Sequence, residues 1–448
     1  MPDDFATASS LPPKDRAWFF ESRFGMFIHW GTYAMAARHE WVKKHEQISE
    51  AKYRQYFEHF NPDRYDPQDW ARQARAAGMR YVVLTTKHHE GFCLWDSAHT
   101  DYKASHTPHG KDLLKPFVEA FRAEGLRVGF YYSLIDWYHP HYTIDRMHPR
   151  SPRTFDPEDF ARLNEGRDQA VYAQYMRDQV HELLTGFGEI SALWFDFSFP
   201  PIWSPDGFGA RDPSHGGGPG KGREDWESEK LLALVQEHQP QCLVNNRLDL
   251  PGTGDFVTPE QYQPENAPTD DAGNVLPWEA CQTFSGSWGY HRDETSWKSP
   301  KQLLTMLIDG VSKSGNLLLN VGPTARGEFD HRASAALVAM GAWMDRHARS
   351  IYGCAQAPAE LGSPPPDCRY TYNAQTRRLY VHVLNWPFRH LHLHGLKDKV
   401  VYAQLLNDHS ELQSGGDRHQ AVAADCLTLE LPIQPPPVEV PVIELMLA

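Results

Sequence analysis

Asp196 closes the run Ala192-Leu-Trp-Phe-Asp, a carboxylate at the end of four apolar residues. Burying an acid there is costly unless it faces a polar site, so Asp196 is a candidate for chemistry; the plain alternative is a cap on the following turn. Other apolar runs end in the same manner. Phe24-Gly-Met-Phe-Ile leads to His29-Trp30, Tyr81-Val-Val-Leu-Thr-Thr to Lys87-His88-His89-Glu90, a third run closes on Tyr131-Tyr132, and Cys242-Leu-Val leads to Asn245-Asn246-Arg247. A single buried His or Asp is more often a hydrogen-bonded core residue than a catalyst, but so many polar strand ends together are hard to explain by packing. His, Arg, Asn and Tyr supply directional hydrogen bonds, Trp supplies a face for the C–H side of a sugar, and carboxyl groups can open an acetal. Glycosidic cleavage needs an ionised carboxylate against the anomeric carbon and a protonated one beside the leaving oxygen, roughly 5–5.5 Å apart if configuration is retained. Asp196 is the first candidate for the ionised group. Two residues compete for the other role: Glu260, which follows Thr258-Pro259 where proline fixes an extended segment, and Glu279 in Pro277-Trp-Glu-Ala-Cys.

Such residues need a scaffold that brings strand ends together. One unit recurs: a helix, a closing Gly, then Arg and an apolar strand. In the first copy the helix starts at Asp66-Pro-Gln-Asp-Trp, Gly78 ends it and Met79-Arg-Tyr-Val-Val-Leu-Thr-Thr-Lys follows; in the second the helix starts at Lys111-Asp-Leu-Leu, Gly125 ends it and Leu126-Arg-Val-Gly-Phe-Tyr-Tyr-Ser follows. Further strands are expected at 24–29, 192–196, 242–246 and 316–321, with helices at 157–185 and 227–238. Alternating strands and helices imply a parallel sheet, and this many repeats favour a barrel, whose strands converge at their C-terminal ends on one face. Six strands are plain rather than eight, so residues 255–288 must hold irregular or weak ones. After Arg349 come Pro364-Pro-Pro, Arg378-Leu-Tyr-Val-His-Val-Leu and Val400-Val-Tyr-Ala-Gln-Leu-Leu, short strands without a helical period. The expected architecture is α/β: an irregular (β/α)8-like TIM barrel over residues 1–350, then a C-terminal β-sandwich over 351–448. Residues 199–225, rich in Gly and Pro, read as a loop beside the site, with a plain disordered insertion the alternative.

Composition removes several function classes. A net charge of -14 and no dense Lys/Arg run argue against nucleic acid as a partner. Gly216-Gly-Gly-Pro-Gly lacks the Gly-Lys-Ser/Thr ending of a phosphate-binding loop. The six cysteines form no C-x-x-C pair, so mostly free thiols are expected, with Cys354 and Cys368 able to pair. No apolar stretch reaches membrane-spanning length and the N-terminus has no basic and apolar leader. No membrane partner and a cytoplasmic location follow, or a secreted or periplasmic one if a leader has been removed. Homo-oligomerisation stays open.

The chain resembles the α-L-fucosidases of glycoside hydrolase family twenty-nine. The resemblance is carried by Phe24-Gly-Met-Phe-Ile-His-Trp-Gly, Tyr81-Val-Val-Leu-Thr-Thr-Lys-His-His-Glu-Gly-Phe, Tyr131-Tyr-Ser, Leu193-Trp-Phe-Asp, Asn245-Asn-Arg, Trp278-Glu-Ala-Cys, Ser287-Trp-Gly-Tyr and Gly315-Asn-Leu-Leu-Leu-Asn-Val-Gly-Pro. It implies an irregular barrel with a C-terminal β-sandwich, no metal and no cofactor. It also implies exo-cleavage of terminal α-L-fucosyl linkages in oligosaccharides or glycoconjugates, with retention through a covalent fucosyl-enzyme. Position by position, Asp196 matches the family nucleophile, and His29, Glu40, Trp41, His88, His89, Tyr131, Trp194 and Arg247 match residues that line the fucose pocket. Glu260 resembles the acid/base of several bacterial members and ranks above Glu279. The long segment after Asp196 departs from the family pattern and bears on leaving-group preference.

Two rival readings stand beside this one. A metal-dependent barrel hydrolase is suggested by His29, His88, His89 and His139-Pro-His141 among 24 histidines, although no H-E-x-x-H spacing occurs. A catalytically inactive fucose-binding relative would need a missing carboxylate, yet Asp196 and two suitable glutamates are present.

Overall fold

The computed structural model describes residues 14–152, 156–199, 219–415 and 422–448. Its first layer is built by the recurring unit. Asp66 caps the helix Pro67–Ala76 by accepting from Asp69 N, Gly78 takes φ 90° to end the turn, and the chain enters a strand at Tyr81. In the second copy Asp112 accepts from Leu114 N and Lys115 N, which sets the helix at Leu114–Ala123, three residues later than the sequence pattern suggests. The helix expected over 157–185 is two, Pro157–Leu163 and Gln169–Gly186, because Asp168 caps the second through Ala170 N.

Seven parallel strands result: β1 Phe24–Ile28, β2 Tyr81–Lys87, β3 Arg127–Ser133, β4 Ala192–Asp196, β5 Leu243–Val244, β6 Glu279–Thr283 and β7 Asn316–Val321, in the order β5-β4-β3-β2-β1-β7-β6. Residues 255–261 join the two edge strands. On one side Asp255 N donates to Val244 O at 2.7 Å; on the other Glu279 N donates to Val257 O at 2.9 Å, Cys281 N to Pro259 O at 3.0 Å and Gln261 N to Cys281 O at 3.1 Å. The weak strands expected within 255–288 are therefore β6 and this irregular stave, whose Pro259 can accept but not donate.

Helices cover the outer face of the sheet, and a separate apolar cluster fills the inside with Phe27, Tyr81, Tyr131, Trp194, Phe256 and Cys281 among others. Tyr81 has room only because position 25 is glycine: a Cβ there would lie 2.5 Å from the tyrosine ring. The helix His331–His347 leads into an antiparallel region of β8 Cys368–Asn373, β9 Arg378–Val383, β10 His390–Leu393, β11 Val400–Leu405, β12 Leu427–Glu430 and β13 Val442–Leu447. These form a four-stranded sheet, β11-β13-β9-β8, and a β10-β12 pair around a core containing Leu379, Val381, Leu393, Leu405, Leu429 and Ile443. All six cysteines are buried and free, so the Cys354–Cys368 pairing that the spacing allowed is not formed. Most of the segment 199–225 lies outside the described residues; at its two ends Phe199 and Lys221 exchange backbone hydrogen bonds of 2.8 Å, and Lys221 pairs with buried Asp145 at 2.8 Å. Among the described residues no helix is long and apolar enough to cross a membrane.

Candidate active site

The C-terminal strand ends meet around Asp196. Its two carboxylate oxygens have different partners: the Tyr131 hydroxyl donates to Oδ2 at 2.8 Å and Arg247 Nη1 to Oδ1 at 2.7 Å. Among the described residues neither accepts from the following turn, so Asp196 is held there by the site and not by a cap. Arg247 reaches the second carboxyl as well, with Nη2 2.7 Å from Glu260 Oε2, while its Nε donates to Thr258 Oγ1 at 2.9 Å. One guanidinium thus clasps both acids. Burial alone would make its charge costly, but Asp196 and Glu260 more than restore it and drive its pKa upward. The Glu260 pKa is also raised, first by desolvation and then by repulsion from Asp196, against the pull of Arg247. The Glu260 side chain keeps 40% exposure at the pocket mouth, so the desolvation comes from the protein packed around it and not from full enclosure.

Asp196 and Glu260 line a pocket of about 310 Å³, open solvent included, together with His29, Glu40, Trp41, His88, His89, Tyr131 and Trp194. Asn320 Nδ2 donates to Trp288 O at 2.7 Å, which turns its Oδ1 toward His29 Nδ1 at 2.6 Å. His29 is therefore protonated at Nδ1, and burial lowers its pKa to about 4, leaving Nε2 as a neutral acceptor. His89 follows the same logic: Ser133 Oγ donates to Ile135 O and so accepts from His89 Nδ1 at 2.8 Å, and burial lowers the ring to about 3. His88 stacks on Tyr131 with centroids 5.6 Å apart, its Nδ1 is buried without a hydrogen-bond partner among the described residues, and burial lowers its pKa strongly. Glu40 behaves oppositely. Burial opposes its charge, but His39 and the Gly289 N–H, 2.8 Å from Oε2, outweigh that and hold it at about 2. Trp41 forms an aromatic wall against His89 at 4.9 Å, Trp137 at 5.2 Å and Phe197 at 5.3 Å.

Glu279 is not brought to this pocket. It is 1% exposed inside the barrel, where Oε1 accepts from Trp194 Nε1 at 3.2 Å and Oε2 meets the Tyr81 hydroxyl. Three positions at or beside the pocket escaped the sequence reading. Trp288 packs 5.0 Å from His29; it lies in Ser287-Trp-Gly-Tyr, a stretch already matched to the family without being singled out. Asn320, one residue before the end of β7, is polar in an otherwise apolar run, much the same signal that marked the other strands. Phe197 lines the pocket at φ 80°, a strained conformation for a bulky residue that turns the chain sharply after Asp196. Among the described residues no group of three or more His, Cys, Asp or Glu is placed to hold a metal ion. Beside the pocket, and sharing Glu40, Trp41 and Trp288 with it, opens a wider cleft of about 1110 Å³ whose walls include His39, His45, Gln261 and Lys298.

The family model described as Alpha-L-fucosidase matches residues 6–349. Among solved structures, alpha-L-fucosidase isoenzyme 1 from Paenibacillus thiaminolyticus is 42% identical, with 97% of this chain and 98% of that one covered at a TM-score of 0.85. A covalent intermediate of an alpha-L-fucosidase from Bacteroides thetaiotaomicron, trapped with 2-fluoro-fucosyl fluoride, is 26% identical over 100% of both chains, TM-score 0.79. The plasma alpha-L-fucosidase of Homo sapiens is 27% identical over 83% of this chain and 76% of its own length.

Proposed function

The chain belongs to the alpha-L-fucosidase family, and from that premise we propose that it is a retaining exo-α-L-fucosidase acting on terminal α-L-fucosyl groups of oligosaccharides or glycoconjugates. The observation that carries the reading is the single guanidinium of Arg247 between two carboxyl groups of unlike environment. Asp196, gripped at both oxygens, attacks the anomeric carbon; Glu260, with its raised pKa, gives its proton to the leaving oxygen as the glycosidic bond breaks. In the second step Glu260 takes a proton from water, water displaces Asp196, and fucose leaves with its configuration retained. Neutral His29 and His89 supply acceptors for sugar hydroxyls, and Trp41 and Trp288 supply apolar faces for the C–H side and the methyl group. The leaving group departs into the adjoining cleft, whose imidazole, amide and ammonium walls suit a saccharide better than an alkyl chain.

The test is fucose release from an aryl α-L-fucoside in the presence of EDTA. Asp196→Ala should lower turnover by at least about 10³-fold, and azide should partly restore it by forming a fucosyl azide of inverted configuration. Unchanged turnover in Asp196→Ala, or no release by the wild type, refutes the reading.

A further inference from the structure

Glu279 takes no part in the steps above, yet a carboxyl group in the barrel interior carries a large desolvation cost. Burial pushes its pKa up to about 7, against the hydrogen bonds of Tyr81 and Trp194. What those bonds hold is informative. The Trp194 indole lies 4.5 Å beneath the Arg247 guanidinium and stacks on Tyr131 at 5.9 Å and 22°. Arg247 and Tyr131 are the two donors to Asp196.

We propose that Glu279 is a positioning residue for the nucleophile: it anchors the indole N–H of Trp194, and the indole in turn fixes Arg247 and Tyr131 against the two oxygens of Asp196. An indole free to shift would let both donors drift, and a misplacement of about 1 Å near the reacting atoms costs roughly 10²-fold in rate. A second effect acts in the same direction. A carboxylate accepting from the N–H enriches the π face of the ring and strengthens its hold on the guanidinium above. The backbone of the same strand also serves the acid: Glu279 N and Cys281 N donate to Val257 O and Pro259 O, in the stave that carries Glu260. This inference rests on the fucosidase reading, which the wild-type rate on an aryl fucoside tests by itself.

The experiment is a mutant cycle on that substrate, with thermal midpoints measured alongside. Glu279→Ala should lower kcat by about 10²-fold with KM changed less than about 3-fold, and Glu279→Gln, which keeps an acceptor for Trp194 but loses the charge, should leave kcat about 3- to 10-fold below wild type. In a Trp194→Phe background neither substitution should lower kcat further, because the link is already cut. Unchanged kcat with a lowered midpoint, or the same loss in both backgrounds, overturns the proposal. Should Glu279→Ala not fold, Glu279→Gln decides alone: a drop of about 3- to 10-fold in kcat that vanishes with Trp194→Phe supports it, and no drop, or an equal drop in both, overturns it.

Discussion

Arg247→Met tests the clasp directly. The arginine meets Asp196 at 2.7 Å with side-chain exposures of 20% and 11%, and Glu260 at 2.7 Å with the glutamate 40% exposed. The first pair is largely desolvated, and stranding its carboxylate should cost about 3–5 kcal/mol. The second is open to water and adds no more than about 1 kcal/mol. If the loss falls mainly on the transition state, where Asp196 must be both charged and aimed, kcat/KM drops by roughly 10²- to 10⁴-fold. The pH dependence has a definite sign. Arg247 opposes the raised pKa of Glu260, so without the guanidinium Glu260 keeps its proton to higher pH and the alkaline limb of the profile moves upward. Initial rates on an aryl α-L-fucoside across pH, with KM resolved, measure both effects. A loss below about 10-fold with an unmoved alkaline limb would show that Arg247 is a packing residue and that Glu260 is set by other groups.

Glu260→Ala should spare an activated aryl fucoside in the first step but lower kcat/KM on a fucosyl disaccharide by about 10²- to 10⁴-fold and remove its alkaline limb, since only the natural aglycone needs a proton; equal losses on both substrates would displace Glu260 from the acid role. Glu279→Ala, in contrast, should cost the same factor on both. Lys87→Met should destabilise the fold by about 3–5 kcal/mol, because it strands Asp136, 1% exposed and 2.9 Å from Lys87 Nζ; a change under about 1 kcal/mol in chemical denaturation would contradict that.

The reach and the limits of the sequence have the same physical origin. A strand fully buried in a parallel sheet reads as an apolar run, and a polar residue at its C-terminal end then stands out; His29, His88, His89, Tyr131 and Asp196 were legible for that reason, and Asn320 would have been under the same rule. The run Cys242-Leu-Val marked β5 although only two of its residues pair, but the stave 255–261 has no such run, since Pro259 interrupts the donor pattern and pairing exists only because the curled sheet closes. The bridge from Arg247 to Glu260 crosses that closure, so no local pattern could announce it.

The two glutamates make the point most sharply. Both are acids in short extended segments near a proline, and as residue types they are interchangeable candidates. Register separates them. Glu279 is the first residue of β6 and pairs with Asn316, the first of β7, whose neighbour Leu317 lies level with the start of β1; it therefore sits toward the N-terminal end of the staves. Glu260 pairs with Cys281, two residues further along the same strand, and stands on the side where Asp196 ends β4. Two residues of register, about 7 Å of rise, are enough to divide an acid at the pocket mouth from one beneath the aromatic floor. Both acids touch a group that leads to Asp196, Glu260 the guanidinium of Arg247 and Glu279 the indole of Trp194 beneath it, and only the closed barrel decides which of them opens onto the pocket.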